Sequence, residues 1–156
     1  MKLVDQLLAQ YGESHQNPTN KYIHWICVPL IMFSLVGVLM TIPFPADYSI
    51  ISHWGAVVLL LALLYYLRLS VTLFLGFILI GGAILWGNHA IYTALDENAL
   101  HMLYVSLAIF FIAWVGQFYG HKVEGKKPSF LKDIQFLLIG PAWLLHFIYR
   151  KWNIPY

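Results

Sequence analysis

The sequence predicts an all-α fold, a polytopic transmembrane helical bundle. Hydrophobic residues make up 60% of the 156 residues and charged residues only 10%, whereas a soluble domain carries about 25% charged residues. Long stretches without any charged residue also recur, and each approaches the roughly 20 residues that a helix needs to cross a bilayer. Because lipid cannot satisfy backbone amides, such stretches are expected to be helical. The length predicts one domain, residues 1–156.

Five apolar segments define the bundle. The four long ones predict spans at about 24–42, 49–67, 70–95 and 99–120. A fifth, within a predicted C-terminal helix at about 132–151, is shorter and contains Gly140-Pro141. Because proline inside a helix removes a hydrogen bond and bends the helix, we expect four spans plus a partial fifth helix. Five true spans are the alternative.

The first residues form a separate element, an amphipathic helix at about 2–14. Its apolar residues recur at helical spacing, namely Leu3, Val4, Leu7, Leu8 and Tyr11. Such a helix is expected to lie in the membrane interface. Asn17-Pro18 then predicts the start of the next helix, with Asn17 as the cap and Pro18 at the first helical position.

The distribution of lysine and arginine predicts a cytoplasmic N-terminus. On that topology the inner side carries seven cationic residues: Lys2, Lys21, Arg68, Lys122, Lys126, Lys127 and Lys132. The two outer loops, 43–49 and 95–98, carry none. Arg150 and Lys151 would lie on the outer side, against this bias, only if the fifth helix spans the membrane. The short C-terminal tail without a retention signal favours a bacterial inner membrane over the endoplasmic reticulum.

The net charge disfavours a nucleic-acid-binding protein, and the single cysteine disfavours a disulfide-stabilised one. A formal net charge of +2 is too weak to indicate nucleic-acid binding. The single cysteine, Cys27, cannot form an internal disulfide, and its apolar surroundings indicate a packing role. The oligomeric state is not indicated by the sequence.

Seven histidines are sorted by this topology into two sets. The outer set is His53, His89 and His101. The inner set is His15, His24 and His121, joined by His146 if the fifth helix enters from inside. Neutral imidazole is a preferred ligand of zinc, copper, iron and nickel. The inner set therefore indicates a metal site, and the alternative is that these are ordinary interfacial residues.

The residues around His121 extend this hypothesis. If the helix continues beyond residue 120, His121 and Glu124 share a face and could supply a nitrogen and an oxygen ligand. Glu124 could equally pair in solvent with Lys126 or Lys127. Gln117 lies one turn before His121 and is a candidate donor to a metal ligand, or a partner in helix packing. Lys122 could contact lipid headgroups or a substrate carboxylate.

Two blocks of polar and special-geometry residues resemble a known family. The first reads Tyr11-x-x-x-His15-x-Asn17-Pro18-x-Asn20-x-x-x-His24, followed by Pro29. The second reads Gln117-Phe118-x-Gly120-His121, followed by Lys126-Lys127-Pro128 and Gly140-Pro141. These blocks resemble the yeast-type 2-hydroxy fatty acid dioxygenase family of small multi-pass membrane proteins, and the resemblance covers nearly the whole chain.

The resemblance implies an Fe(II)-dependent dioxygenase that carries out alpha-oxidation of 2-hydroxy fatty acids to fatty acids one carbon shorter. It implies His15, His24 and His121 as catalytic iron ligands. Glu124, from its spacing to His121, and His146, from the topology, are further possible ligands that the resemblance does not supply. Its substrates would be a 2-hydroxy fatty acid and dioxygen, with Lys122 and Asn17 as candidate substrate-binding residues and membrane lipid around the protein. The outer histidines and His146 have no counterpart in the family pattern.

Two other functional classes are compatible with the composition. One is a non-catalytic multi-pass membrane protein that binds lipid or scaffolds partners, with merely interfacial histidines. The other is a small transporter, which is disfavoured because the four long runs contain no Asp, Glu, Lys or Arg.

Overall fold

A computed structural model describes residues 2–128 and 134–156 of the protein. These residues form six helices and no β-strand, which confirms the predicted all-α class. The helices are α1 (Leu3–Gly12), α2 (Pro18–Met40), α3 (Trp54–Leu69), α4 (Val71–Ala94), α5 (Ala99–Glu124) and α6 (Phe136–Lys151). The predicted beginning of the last helix near residue 132, and Lys132 itself, lie outside the described residues.

Three helices, α2, α4 and α5, are long and apolar enough to cross a membrane. The predicted second span is shorter than expected, because α3 has 16 residues. At 1.5 Å per residue it is about 24 Å long, below the roughly 30 Å of a hydrocarbon core. The predicted run started at residue 49, but Ser49 accepts a hydrogen bond from the Ser52 amide and forms a turn. The helix begins only after His53, whose Nδ1 accepts from the Ala56 amide.

Helix ends follow from local capping chemistry. Asn17 caps α2 by accepting a hydrogen bond from the Thr19 amide at 2.9 Å, and Pro18 is the first helical residue, as predicted. This helix therefore begins six residues before the predicted span. α5 extends four residues past its predicted end and stops at Gly125, whose φ of 72° is left-handed. The extension carries His121 and Glu124 on helical backbone.

α5 packs closely on α2 through two of its own glycines, near the end that carries His121. A side chain at Gly116 would overlap Cys27, and one at Gly120 would overlap Asn20. Small residues spaced four apart permit such close helix contact inside a membrane. The close approach brings His121 of α5 to the level of His24 of α2. Cys27 is buried here, in agreement with a packing role.

α1 is a helix as predicted, but its apolar face packs on protein. Val4, Leu7, Leu8 and Tyr11 are buried in a hydrophobic cluster that includes Ile139, Trp143 and other residues of α6. This arrangement differs from an apolar face turned to lipid, which was the basis for expecting an interfacial helix. The location of α1 at a membrane interface therefore remains a prediction.

α6 is a packed element of the bundle interior rather than a helix lying on its surface. Residues 139–146 are all buried, and α6 contacts α1, α2 and α4. The helix continues through Pro141, which cannot donate to a backbone carbonyl of the preceding turn. The nearby Leu138 carbonyl accepts a hydrogen bond from the Tyr66 hydroxyl at 2.8 Å. One side-chain donor from α3 thus bonds the helix backbone one turn before the proline.

The two ends of the bundle are chemically different. At the first end, Lys126 Nζ donates to the Glu13 carbonyl at 2.7 Å, and Glu124 contacts the α1–α2 connector. At the second end, Tyr48 packs on His89 and Tyr92. Most cations of the predicted inner set lie at the first end, and the lysine-free loops lie at the second. We call these the inner and outer ends.

Candidate metal centre

His15 lies on the connector between α1 and α2 and is fully buried. Its ring stacks on Tyr11, with ring centroids 4.1 Å apart and planes 11° apart. Its Nδ1 lies 2.6 Å from the Tyr11 carbonyl oxygen and 3.2 Å from Ser14 Oγ. Because a carbonyl oxygen can only accept, Nδ1 carries the hydrogen and Nε2 presents a lone pair.

His24 lies near the start of α2 and has the same arrangement. The ring is 1% exposed, and Nδ1 lies 2.9 Å from the Asn20 carbonyl oxygen. Its Nε2 is therefore also the unprotonated nitrogen. A metal-binding histidine is commonly oriented in this way, by donating its other ring N–H to a carbonyl.

The Nε2 atoms of His15 and His24 face each other at 2.9 Å. Two lone pairs at that distance repel unless a proton or a metal ion lies between them. Burial is the largest influence on His15 and, with neighbouring His24 and His121, lowers the pKa of His15 from 6.5 to about 3. The neutral form that binds metals is therefore favoured at physiological pH.

His121 completes the group from α5. Its ring centroid is 4.9 Å from that of His15 and 5.1 Å from that of His24. Its Nδ1 is buried and has no hydrogen-bond partner among residues 2–128 and 134–156. One nitrogen from each of the three rings lies within 4.8 Å of the others. Three converging imidazole nitrogens fit a transition-metal ion, and the buried, unpartnered Nδ1 of His121 leaves that ring free to contribute.

Glu124 ties this group together without being one of the three converging donors. Its Oε1 accepts from the Gln16 amide at 2.8 Å, and its Oε2 from the Asn17 amide at 2.9 Å. The Asn20 side-chain amide donates to Oε2 at 3.1 Å. The carboxylate therefore bonds the end of α5 to the connector that carries His15, and a role for Glu124 as a metal ligand stays a prediction.

The other predicted site residues are distributed around the group. Gln117 is buried, and its Oε1 has no partner in the described part of the chain. The Asn17 side chain is engaged in capping α2, and Lys122 is exposed. His146 is buried among Trp143 and Phe147, and its Nδ1 bonds the Trp143 carbonyl. His146 is outside the group of three converging histidines.

Sequence reasoning assigned no role to Asn20 and Tyr11, although both belong to the first motif block. Asn20 is fully buried, donates to Glu124 and to the Ser14 carbonyl, and accepts from His24 through its backbone. Tyr11 supports the His15 ring from one face. The sequence signal for both roles is spacing. Each residue lies four positions before a histidine, and its carbonyl accepts a hydrogen bond from that histidine.

The three histidines are reached from two sides. A cavity of about 60 Å³ is lined by His24, His121, Gln117 and Tyr11 together with apolar residues of α2 and α6. A separate, more open cleft of about 380 Å³ reaches His15 and is lined by charged residues that include Lys21 and Arg150. The site thus lies between a mainly apolar and a polar approach.

Residues 1–152 match a protein family described as 2-hydroxy-palmitic acid dioxygenase Mpo1-like. This chain belongs to the Mpo1-like family. It is also similar to the 2-hydroxy-palmitic acid dioxygenase MPO1 of Saccharomyces cerevisiae. The two are 29% identical over 152 residues, which cover 95% of this chain and 81% of the yeast protein. No solved structure matches the chain.

Membership in the Mpo1-like family confirms the resemblance found in the sequence and supports a related function. The relative's name as a dioxygenase indicates an oxidoreductase. The yeast relative is eukaryotic, so the comparison gives no support to the predicted bacterial inner membrane.

Proposed function

We propose that this protein is an Fe(II)-dependent dioxygenase that converts 2-hydroxy fatty acids into fatty acids one carbon shorter. The observation that carries the proposal is the buried convergence of His15, His24 and His121, with two Nε2 lone pairs 2.9 Å apart. Imidazole sets suit iron, copper, zinc and nickel. Similarity to a protein named as a dioxygenase favours a redox-active metal over zinc.

His15, His24 and His121 would hold the iron. When bound, ferrous iron supplies the electron-transfer chemistry with dioxygen that amino-acid side chains lack. The protein fixes the tautomers of two ligands through the Tyr11 and Asn20 carbonyls. Glu124 holds the connector so that His15 meets the two helical histidines. The hydrophobic cluster of α1 and α6 holds Tyr11, whose ring stacks on that of His15.

The substrate head is proposed to bind in the cavity beside His24 and His121. Gln117 lines that cavity, and its Oε1 is placed to accept a hydrogen bond from a substrate hydroxyl. Lys122 lies one residue beyond His121 and is exposed, so it can offset the charge of an approaching carboxylate at the inner end. Asn17 acts mainly by capping α2.

The proposed reaction balances without another reductant. One 2-hydroxy acid and one dioxygen give one acid shortened by one carbon, one carbon dioxide and one water. The bond between the carboxyl carbon and the hydroxyl-bearing carbon breaks, and the four electrons lost by these two carbons reduce dioxygen. Release of labelled carbon dioxide from a 1-¹³C substrate is therefore a direct readout.

Metal content and oxygen-dependent turnover test the proposal together. We expect purified protein to contain iron and to consume 2-hydroxypalmitic acid only in the presence of dioxygen. Replacing His15, His24 or His121 singly by Ala should remove both properties. His89→Ala is the matched control, because His89 bonds Tyr48 at the outer end.

If iron content and turnover are unchanged in all three variants, His15, His24 and His121 do not bind the iron. Bound zinc with no dependence on dioxygen would point to hydrolysis. A protein that binds fatty acids without metal or turnover would instead be a non-catalytic lipid-binding protein.

We also propose that four helices, α2 to α5, span the membrane and that the inner end faces the cytoplasm, on the basis of the lysine and arginine distribution. Cysteines introduced at Lys127 and at Asp96 should label from opposite sides of sealed vesicles with an impermeant maleimide. Labelling of both from one side would contradict this topology. The single native Cys27 is buried, so it gives little background labelling.

A further inference from the structure

An apolar groove lies between α2, α4 and α6. It has a volume of about 450 Å³. Every lining residue is apolar, including Phe33 of α2, Ile84 of α4 and Leu144 of α6. Exposed lining residues include Trp25 (39% exposed) and, at the far end of the groove, Ala83, so the groove opens to the outside of the bundle. A molecule dissolved in the bilayer could therefore enter it laterally.

The groove adjoins the cavity at the histidines. Val28, Met32 and Pro141 line both spaces and form the wall between them. Val28 and Met32 are one turn apart on α2, the helix that carries His24. A chain that passes this shared wall leads from the histidines into the apolar groove.

Two prolines belong to the wall of this groove. Pro29 lies within α2 and Pro141 within α6. Each removes a backbone N–H donor from its helix. The apolar side chains around the prolines suit a hydrocarbon chain better than a polar ligand.

We propose that this groove is the acyl-chain subsite and that its far end, at Phe33, Ala83 and Ile84, sets the preferred chain length. The inference rests on the proposed function, because it assigns the tail of the acid whose head reacts at His15, His24 and His121. Along α2 the distance from His24 to Phe33 is nine residues, or roughly 13 Å. An acid bound with its head at the histidines thus extends its chain toward the centre of the bundle.

Selection of the acyl-chain length in this groove depends on the shape of the groove. The acyl chain leaves one apolar medium, the bilayer, for another, so burial itself provides little net gain. Added bulk in the groove acts instead by steric exclusion. Long chains are excluded by an obstruction at the far end, whereas short chains that stop before it are accepted.

Ala83→Phe is the test variant, because it places a ring at the far end of the groove. We expect the ratio of turnover for 2-hydroxypalmitic over 2-hydroxyoctanoic acid to fall by roughly tenfold or more. Gly82→Phe is the matched control. It is the neighbouring residue, and a Cβ there meets nothing within 4 Å, so the ratio should stay at the wild-type value.

A photo-crosslinking experiment gives a readout that does not need turnover. 2-Hydroxypalmitic acid with a terminal diazirine should label peptides that contain Phe33 or Ile84 in the wild-type protein. Labelling at those peptides should decrease in Ala83→Phe and persist in Gly82→Phe. If Ala83→Phe loses its native helix content by circular dichroism, Ala83→Leu replaces it with a smaller addition.

The outcomes separate the subsite from the reaction. Groove labelling without consumption of any 2-hydroxy acid would overturn the proposed function and support the acyl subsite. Normal turnover with labelling elsewhere, and with an unchanged chain-length ratio in Ala83→Phe, would overturn the subsite alone. Labelling of the groove by a diazirine phospholipid that 2-hydroxypalmitic acid fails to displace would identify a structural lipid and also overturn it.

Discussion

The inner and outer ends of the bundle each carry three histidines that match the predicted sets, yet the two ends use them differently. At the inner end, His15, His24 and His121 converge within 4.8 Å. At the outer end, His53 is buried as the cap of α3. His89 bonds the Tyr48 hydroxyl. Imidazoles at one level of a membrane therefore do not make a metal site unless their free nitrogens point toward one another.

Orientation distinguishes the two sets. Each of the inner pair His15 and His24 bonds a carbonyl through Nδ1 and presents Nε2 to the centre. His53 uses both nitrogens locally, because Nδ1 accepts from the Ala56 amide and Nε2 bonds the Ile50 carbonyl. No nitrogen of His53 is left for a ligand. Substitutions at the two ends are therefore expected to differ in their effects on iron content, turnover and stability.

The largest effect is expected for His24→Ala. It removes one of the two facing nitrogens and leaves His15 without its opposite donor. Loss of iron and of turnover should exceed the roughly 10–100-fold typical of residues that only support a metal ligand. Iron content by mass spectrometry and carbon dioxide release measure the effect. If His24→Ala keeps iron at the wild-type level, His24 is not a metal ligand, and the inner histidines resemble the outer ones in this respect.

The second largest effect is expected for Glu124→Gln. The amide keeps the shape but loses the charge and places an NH₂ group among the N–H donors of Gln16, Asn17 and Asn20. Iron affinity should fall by roughly 10–100-fold, with turnover restored by excess iron. Glu97→Gln at the outer end is the control. Turnover that iron cannot restore would contradict a positioning role.

A further test uses chelation to compare the two ends. A ligand at 100 times its dissociation constant stabilises the folded state by about 2.7 kcal/mol, so removing iron should lower the melting temperature. The same decrease is expected in His89→Ala, whereas His121→Ala should show none. An equal decrease in His121→Ala would place the metal elsewhere.

The smallest effect is expected for His53→Ala. Loss of the cap on α3 should destabilise the protein by about 1 kcal/mol, without changing iron content. The thermal unfolding midpoint measures this loss. Reduced iron in His53→Ala at unchanged helix content would mean that the outer end also contributes to metal binding.

The sequence predicted the helical class and the members of the inner histidine set, because both depend on local patterns. Runs without charged residues predict the helices, and the positions of the lysines assign each helix end to the inner or the outer side. The error at α3 arose because Ser49 and Ser52 look apolar enough to continue a run, yet their hydroxyls stabilise a turn. Hydropathy does not register this competition between side-chain and helical hydrogen bonds.

The roles of individual polar residues were less predictable. Glu124 was considered as a ligand from its spacing to His121, but its three N–H donors are distant in sequence, two on the α1–α2 connector and one on Asn20 of α2. The face of α1 was assigned to lipid, because an amphipathic stripe looks the same whether protein or membrane covers it. Only the packing of α6 on that stripe distinguishes the two.

The donor nitrogens of His15, His24 and His121 come from the connector, α2 and α5, and α5 emerges from the ribosome long after α2. During synthesis, the first two histidines therefore remain an incomplete pair while α3 and α4 are made. A chain that ends before α5 cannot assemble the full set. The group of three histidines is thus complete only after α5 has been made and has packed on α2.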